Sequence, residues 1–179
     1  MAARNALGNM NTRVNDGSTA LNVALGHVAN VTVAIAGISI VGMAMVEAWQ
    51  VFARYVMNDS PSWTEPVALL FMSTAMMFGA AAGVRANRHF GFFLLVDHAP
   101  LPLRKVLRLL PKLIAAGIGL MLAVWGADMM VDVWDYPMAG VPLPQGMVFV
   151  PMCAGGTLIA VFALEQIVSP PPPPAAAGE

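Results

Sequence analysis

Residues 28–51 read VANVTVAIAGISIVGMAMVEAWQV, an apolar run interrupted by a single acid, Glu47. At 1.5 Å per residue a helix over this run is about 35 Å long, enough to cross a hydrocarbon core of about 30 Å with some tilt. Working outward, three further runs of similar character cover residues 65–84, 109–130 and 147–168. Pro111 and Pro151 are expected in the first turns of the last two, where a missing N–H costs little. The fold class that follows is all-α integral membrane, with four transmembrane helices at about 28–51, 65–84, 109–130 and 147–168. A tail of residues 1–27 precedes this membrane domain, 28–168. Residues 169–179, with five prolines from Pro170 to Pro174, are expected to form a disordered, extended and solvated tail.

Composition agrees. Of the 179 residues 58% are hydrophobic and 11% charged, and the mean hydropathy is +0.70. Soluble domains carry roughly a quarter of charged residues, so this chain needs a lipid solvent. Cys153 is the single cysteine, which excludes an intramolecular disulfide and a cysteine-based metal cluster and leaves a small packing residue. The polar start followed by a long apolar run does not read as a cleaved signal, so the first helix is expected to remain in the mature protein. No internal repeat stands out.

Charge placement orients the chain. Arg4 and Arg13 precede the first run, and Arg85, Arg88, Arg104, Lys105, Arg108 and Lys112 flank or occupy the connection between the second and third. Only Arg54 falls on the other side, and the third connection carries Asp128, Asp132 and Asp135 with no basic residue. Because short basic loops are retained on the cytoplasmic face, both termini and the middle loop are expected there. Trp49, Trp63, Trp125 and Trp134 fall near the predicted outer ends, where indoles favour the interface. Between helices two and three, the stretch His89 to Val96 is too short to cross and too apolar for an ordinary loop, and reads as an interfacial or re-entrant segment.

Few side chains suggest chemistry. Gly79 and Gly83 form a GxxxG pattern on helix two, a close-packing device for a helix of this subunit or of a partner. Gly119 with Ala123, and Gly156 with Ala160, repeat that spacing. Ser62-Trp63-Thr64-Glu65 matches a capping box, with Thr64 preferred as the cap because Pro66 then falls inside the first turn. Glu65 also suits a helix N-terminus. Glu47 reads either as an interfacial residue paired with Gln50 or Arg54, or as an ion-relay acid. His27, His89 and His98 do not make a buried haem pair, and His89, Asp97 and His98 lack the usual zinc spacing. With no phosphate loop, nucleophile elbow or paired catalytic carboxylates, the sequence calls for no enzyme, cofactor or metal. The six cationic groups around the middle loop suit anionic membrane lipid rather than nucleic acid.

Over roughly residues 28–168 the chain resembles the DctQ-like small permease subunits of tripartite ATP-independent periplasmic (TRAP) transporters. Arg54-Tyr55-Val56-Met57-Asn58, followed by Ser62-Trp63-Thr64-Glu65, looks like that family's RY-aromatic-N and W-(S/T)-E-E signature, with Pro66 replacing the second acid. His89, followed by Leu94-Leu95-Val96-Asp97 and Pro100, is similar to the family's histidine-led segment, although Phe93 stands where an Asp is common. Pro142-Leu143-Pro144 and Pro151 resemble its proline-spaced approach to helix four.

The resemblance implies a multi-pass protein of the bacterial inner membrane. Its implied partners are a large membrane subunit that houses the transport path and a periplasmic solute-binding protein. Such systems take up organic acids or similar solutes with an ion gradient, usually sodium, rather than ATP. Arg54, Trp63, Glu65 and His89 are the positions expected to organise the loops or the partner interface, and the subunit is expected to be scaffold rather than pore. The alternatives are the small four-helix subunit of a tripartite tricarboxylate transporter, a membrane-embedded enzyme or redox subunit, and a self-associating channel. The Trp63-Thr64-Glu65 and His89 signals favour the TRAP reading over the first of these. The missing buried histidine pairs and rings of pore charge disfavour the other two.

Overall fold

Before Pro61 the chain contains no proline, so nothing in the first 60 residues blocks propagation of a helix nucleated in the apolar run. In the computed structural model, which describes residues 2–86 and 101–168, this segment is one continuous helix, α1, Ala2–Phe52. It closes with a widened π turn at Ala53–Met57. The helix therefore runs back through most of the expected 1–27 tail.

The remaining elements are α2 (Thr64–Arg85), α3 (Leu101–Asp132), a 3₁₀ turn at Gln145–Phe149 and α4 (Val150–Val168). Among the described residues, four helical stretches are long and apolar enough to cross a membrane: Val23–Met57, Thr64–Arg85, Leu109–Asp132 and Gln145–Val168. With 85% of the residues helical and no strand among those described, the all-α, four-span fold class holds.

Two local expectations are corrected. α3 begins at Leu101 rather than 109, which places Pro111 in its interior instead of its first turn. Pro102 provides the favourable early-turn proline. Pro111 cannot donate to the carbonyl of Leu107, and the helix continues past the missing bond. Thr64 does not cap α2 either. Trp63 occupies the cap position in a helical conformation, φ −84° and ψ −19°, with no side-chain cap bond. Its carbonyl accepts from the Val67 N–H at 3.3 Å. Thr64 is already inside the helix, fully buried, and its hydroxyl donates back to the Pro61 carbonyl at 2.9 Å. A buried hydroxyl needs such a partner. The segment of residues 89–96, with His89, and the tail of residues 169–179 lie outside the described residues.

The extensive packing is α1 on α2, α2 on α4 and α4 on α3, so the helices form a row with α1 and α3 at its two edges. Along α1 the face toward α2 repeats in alternating steps of four and three, through Leu25, Ala29, Thr32, Ala36, Ser39, Met43, Val46, Gln50 and Ala53, all buried or half-buried. That alternation keeps one seam on its neighbour. Small residues at five of those positions let the two helices approach closely.

α3 and α4 meet more closely still. A Cβ on Gly119 would lie 2.7 Å from the Ala160 nitrogen and 2.8 Å from the Gly156 carbonyl oxygen, and one on Gly156 would lie 2.7 Å from the Ala123 nitrogen. The two small-residue pairs identified in the sequence, Gly119/Ala123 and Gly156/Ala160, thus pack on each other. Cys153 packs at the same interface beside Gly126. On the other side of α4, Gly155 meets Met77 of α2, and Phe162, fully buried, clusters with Ala81 and Ile159.

Gly156→Leu is expected to lower the stability of the purified chain by about 1–3 kcal/mol, because backbone rather than flexible side chain would have to give way. The readout is the thermal unfolding midpoint in detergent. Gly79→Ala, where an added Cβ meets nothing within 4 Å, should leave that midpoint unchanged or raised.

Candidate functional site

The connectivity puts the α1–α2 turn and the α3–α4 loop at one end of the row, here the tryptophan end, and the C-terminal ends of α2 and α4 at the other, the basic end. Each end has its own construction.

At the basic end, α2 and α4 terminate with carbonyls that lack intrahelical donors, and near hydrocarbon each such group costs several kcal/mol. Side chains from the next helix in the row supply the donors. Gln166, buried near the end of α4, donates through Nε2 to the carbonyl of Val84 at 2.5 Å and, longer, to that of Arg85 at 3.4 Å. Lys112 of α3 donates through Nζ to the carbonyl of Gln166 at 2.7 Å, placing a cation at the negative end of the α4 dipole. Arg85 pairs with Glu165 at 3.3 Å, the two side chains being 21% and 11% exposed. The Arg85 guanidinium also lies 5.4 Å from the centre of the Phe162 ring, a cation–π distance. The second oxygen of Glu165 is buried without a hydrogen-bond partner. The result is a polar clamp fixing α3, α4 and α2 in register.

The clamp corrects the charge reading in part. Arg85 and Lys112, assigned from sequence to lipid headgroups, are engaged inside the bundle. The sequence reading singles out Glu47 and passes over Glu165 and Gln166. Their signal is a polar pair placed ahead of two further apolar residues, Ile167 and Val168.

At the tryptophan end, the site residues expected from sequence lie near one another in the chain but do not form a polar cluster. Arg54 is exposed in the π turn, Trp63 is 40% exposed at the start of α2, and Glu65 is exposed one residue into α2. Among the described residues neither Glu47 nor Glu65 is ion-paired with Arg54. Glu47 is exposed, and two helical turns, about 10 Å of rise, separate it from Arg54. Gly79 is open on the surface of α2 and Gly83 is half-buried.

Two backbone devices shape this end. Asn58 closes the π turn in the left-handed region, φ 55°, with its N–H returned to the Ala53 carbonyl. Asn accepts that conformation where branched residues resist it. The α3–α4 loop folds back on itself through Met138 N–H to Leu143 C=O and Gln145 N–H to Tyr136 C=O, both 2.8 Å. Its Gly140, φ 79°, lies against Ser62, where a side chain would strike the Ser62 backbone. The two connections at this end are thereby held together.

Within the spans, four hydroxyls are satisfied by their own helices. Thr32, Ser39, Thr74 and Thr157 each donate to the carbonyl four residues back, at 2.7–2.8 Å. These four hydrogens are used within their own helices.

The family model of the DctQ component of tripartite ATP-independent periplasmic transporters matches residues 43–170. The chain belongs to this family. No curated protein matches it. The matched region of this DctQ-family chain begins in the last fifth of α1 and contains the π turn, both connections of the tryptophan end, the Gly119–Gly156 contact and the clamp. It includes the Arg54–Asn58 and Ser62–Glu65 motifs on which the resemblance rested, and makes the chain the small membrane component of a TRAP transporter.

Glu165→Leu should destabilise the chain by about 3 kcal/mol, the low end for breaking a buried pair because a fifth of Arg85 remains exposed. The double variant Arg85→Leu/Glu165→Leu should lose less than the sum of the two single changes in a double-mutant cycle of unfolding in detergent. Asn58→Val should cost about 1–2 kcal/mol and Asn58→Gly nothing, judged by the same midpoints.

Proposed function

We propose that this chain is the scaffold of its transporter: its row of helices braces the large permease subunit, which carries an organic acid or similar solute inward on an ion gradient. The observation that carries this reading is the open row. α1 and α3 share no extensive interface, so the helices do not enclose a central path, and long apolar faces on α1 and α3 remain uncovered within the chain. Internally satisfied hydroxyls and a clamp that uses its polar groups for helix ends support the same reading. A flat, register-locked element widens the membrane platform against which a moving partner domain can work.

The basic residues around the α2–α3 connection favour placing the basic end and both termini in the cytoplasm. The tryptophan end then faces the periplasm, where Trp63, Glu65 and the loop held by Gly140 are available to a docked solute-binding protein. Arg54 and His89 belong to the same proposal as loop-organising positions.

The test is reconstituted uptake with the large subunit and the binding protein of the same system. Uptake should fall to background when this chain is omitted. Full-rate transport in its absence would overturn the scaffold reading. Glu47→Gln, at an exposed position, should leave both uptake and its cation dependence unchanged.

A further inference from the structure

The α3–α4 loop is a narrow hairpin with a cleft in it. α3 ends at Asp132, and beyond it Pro137 and Pro144 face each other in an isolated antiparallel bridge. The bonds from Met138 N–H to Leu143 C=O and from Gln145 N–H to Tyr136 C=O flank that bridge. An open cleft of about 240 Å³ is lined by Trp134, Asp135 and Tyr136 on the outgoing limb and by Pro142, Leu143 and Pro144 on the returning one. Prolines fix φ, and the cross-limb bonds fix the spacing of the limbs, so the cleft is formed before anything enters it.

Trp134 is supported from the α4 side. A Cβ on Gly146 would lie 2.8 Å from its Cε3 atom, so the missing side chain lets the approach to α4 lie against the indole. Trp134 and Tyr136 still remain 46% and 62% exposed. Asp135 is exposed as well, and among the described residues it has no ion-pair partner. Asp59, Glu65, Asp128 and Asp132 are also exposed at this end, against Arg54 as its one exposed cation among the described residues. Acids alone attract cations diffusely. Rings beside a carboxylate in a fixed cleft are more selective: a guanidinium is flat and forked, so it stacks on an aromatic face while donating two N–H groups to one carboxylate.

We infer that this cleft seats an arginine side chain of the soluble binding protein, with Asp135 as its ionic partner and Trp134 and Tyr136 as the ring faces. The inference rests on the proposed placement of the tryptophan end toward that protein, and it gives the docking a defined anchor. The cleft is small and open, so it holds the tip of a side chain but encloses little of a free cation. The acids around it suit a basic surface that carries the arginine in, steering its approach and fixing its register.

The experiment is solute uptake into proteoliposomes holding the full-length chain and the large subunit, measured as the binding protein of the same system is titrated. Asp135→Asn should raise the half-saturating concentration of binding protein about tenfold, the combined size of a partly exposed ion pair and a ring contact, with uptake recovered at saturation. Asp135→Glu keeps the charge and should recover most of that loss. Asp128→Asn removes the same charge outside the cleft and should shift the half-saturation far less. Equal shifts from Asp128→Asn and Asp135→Asn would show a diffuse field and overturn the seat. The partner residue is found by changing each exposed arginine of the binding protein to Glu: one such change should restore docking to Asp135→Arg, and recovery at none of them would overturn the arginine assignment. Full-rate uptake with this chain omitted sinks the scaffold reading, whereas uptake that needs the chain but ignores Asp135→Asn sinks the seat alone.

Discussion

A carbonyl at the end of a membrane helix has neither an intrahelical donor nor, near hydrocarbon, a water to replace it. The basic end of this protein is organised by that constraint. The last carbonyls of α2 are served by Gln166 of α4, and a carbonyl near the end of α4 is served by Lys112 of α3. Each helix end is finished by its neighbour, so the hydrogen bonds that complete the backbone also set the order and register of the row. The Arg85–Glu165 pair and the Phe162 ring beneath Arg85 seal the same junction. Remove the donors and the helices lose their relative positions along the membrane normal, not merely a few contacts.

Close approach in the middle of the bundle makes this possible. Lipid supplies little hydrophobic drive between helices, so association rests on van der Waals packing and on backbones that come near each other. The Gly119–Gly156 contact brings α3 and α4 to that distance, and Gly155 lets α4 lie equally near to α2 at Met77. α4 is consequently the most enclosed helix. α1 and α3 keep broad apolar faces open, consistent with a component that works in an assembly.

The tryptophan end depends on backbone conformation more than on charge. A left-handed Asn58 ends the π turn, and Gly140 with positive φ lets the α3–α4 loop lie on Ser62.

Much of this was legible in the sequence. Runs of apolar residues at spanning length can only be helices in lipid, because no other segment satisfies its own backbone there, and so four spans and the all-α class followed directly. Small residues at Gly119, Ala123, Gly156 and Ala160 marked the α3–α4 contact for the same local reason. The Arg54–Asn58 and Ser62–Glu65 motifs identified the family. Tertiary structure alone decided which helices are neighbours, that Arg85 meets Glu165 across eighty positions of sequence, and that Gln166 rather than a local residue completes α2. It also decided that Thr64 turns its hydroxyl back to Pro61 instead of capping, and that α3 runs through Pro111. Such outcomes depend on which group lies nearest in space once the helices pack. Spacing along the chain carries the period of a helix, but not the identity of what its end will face.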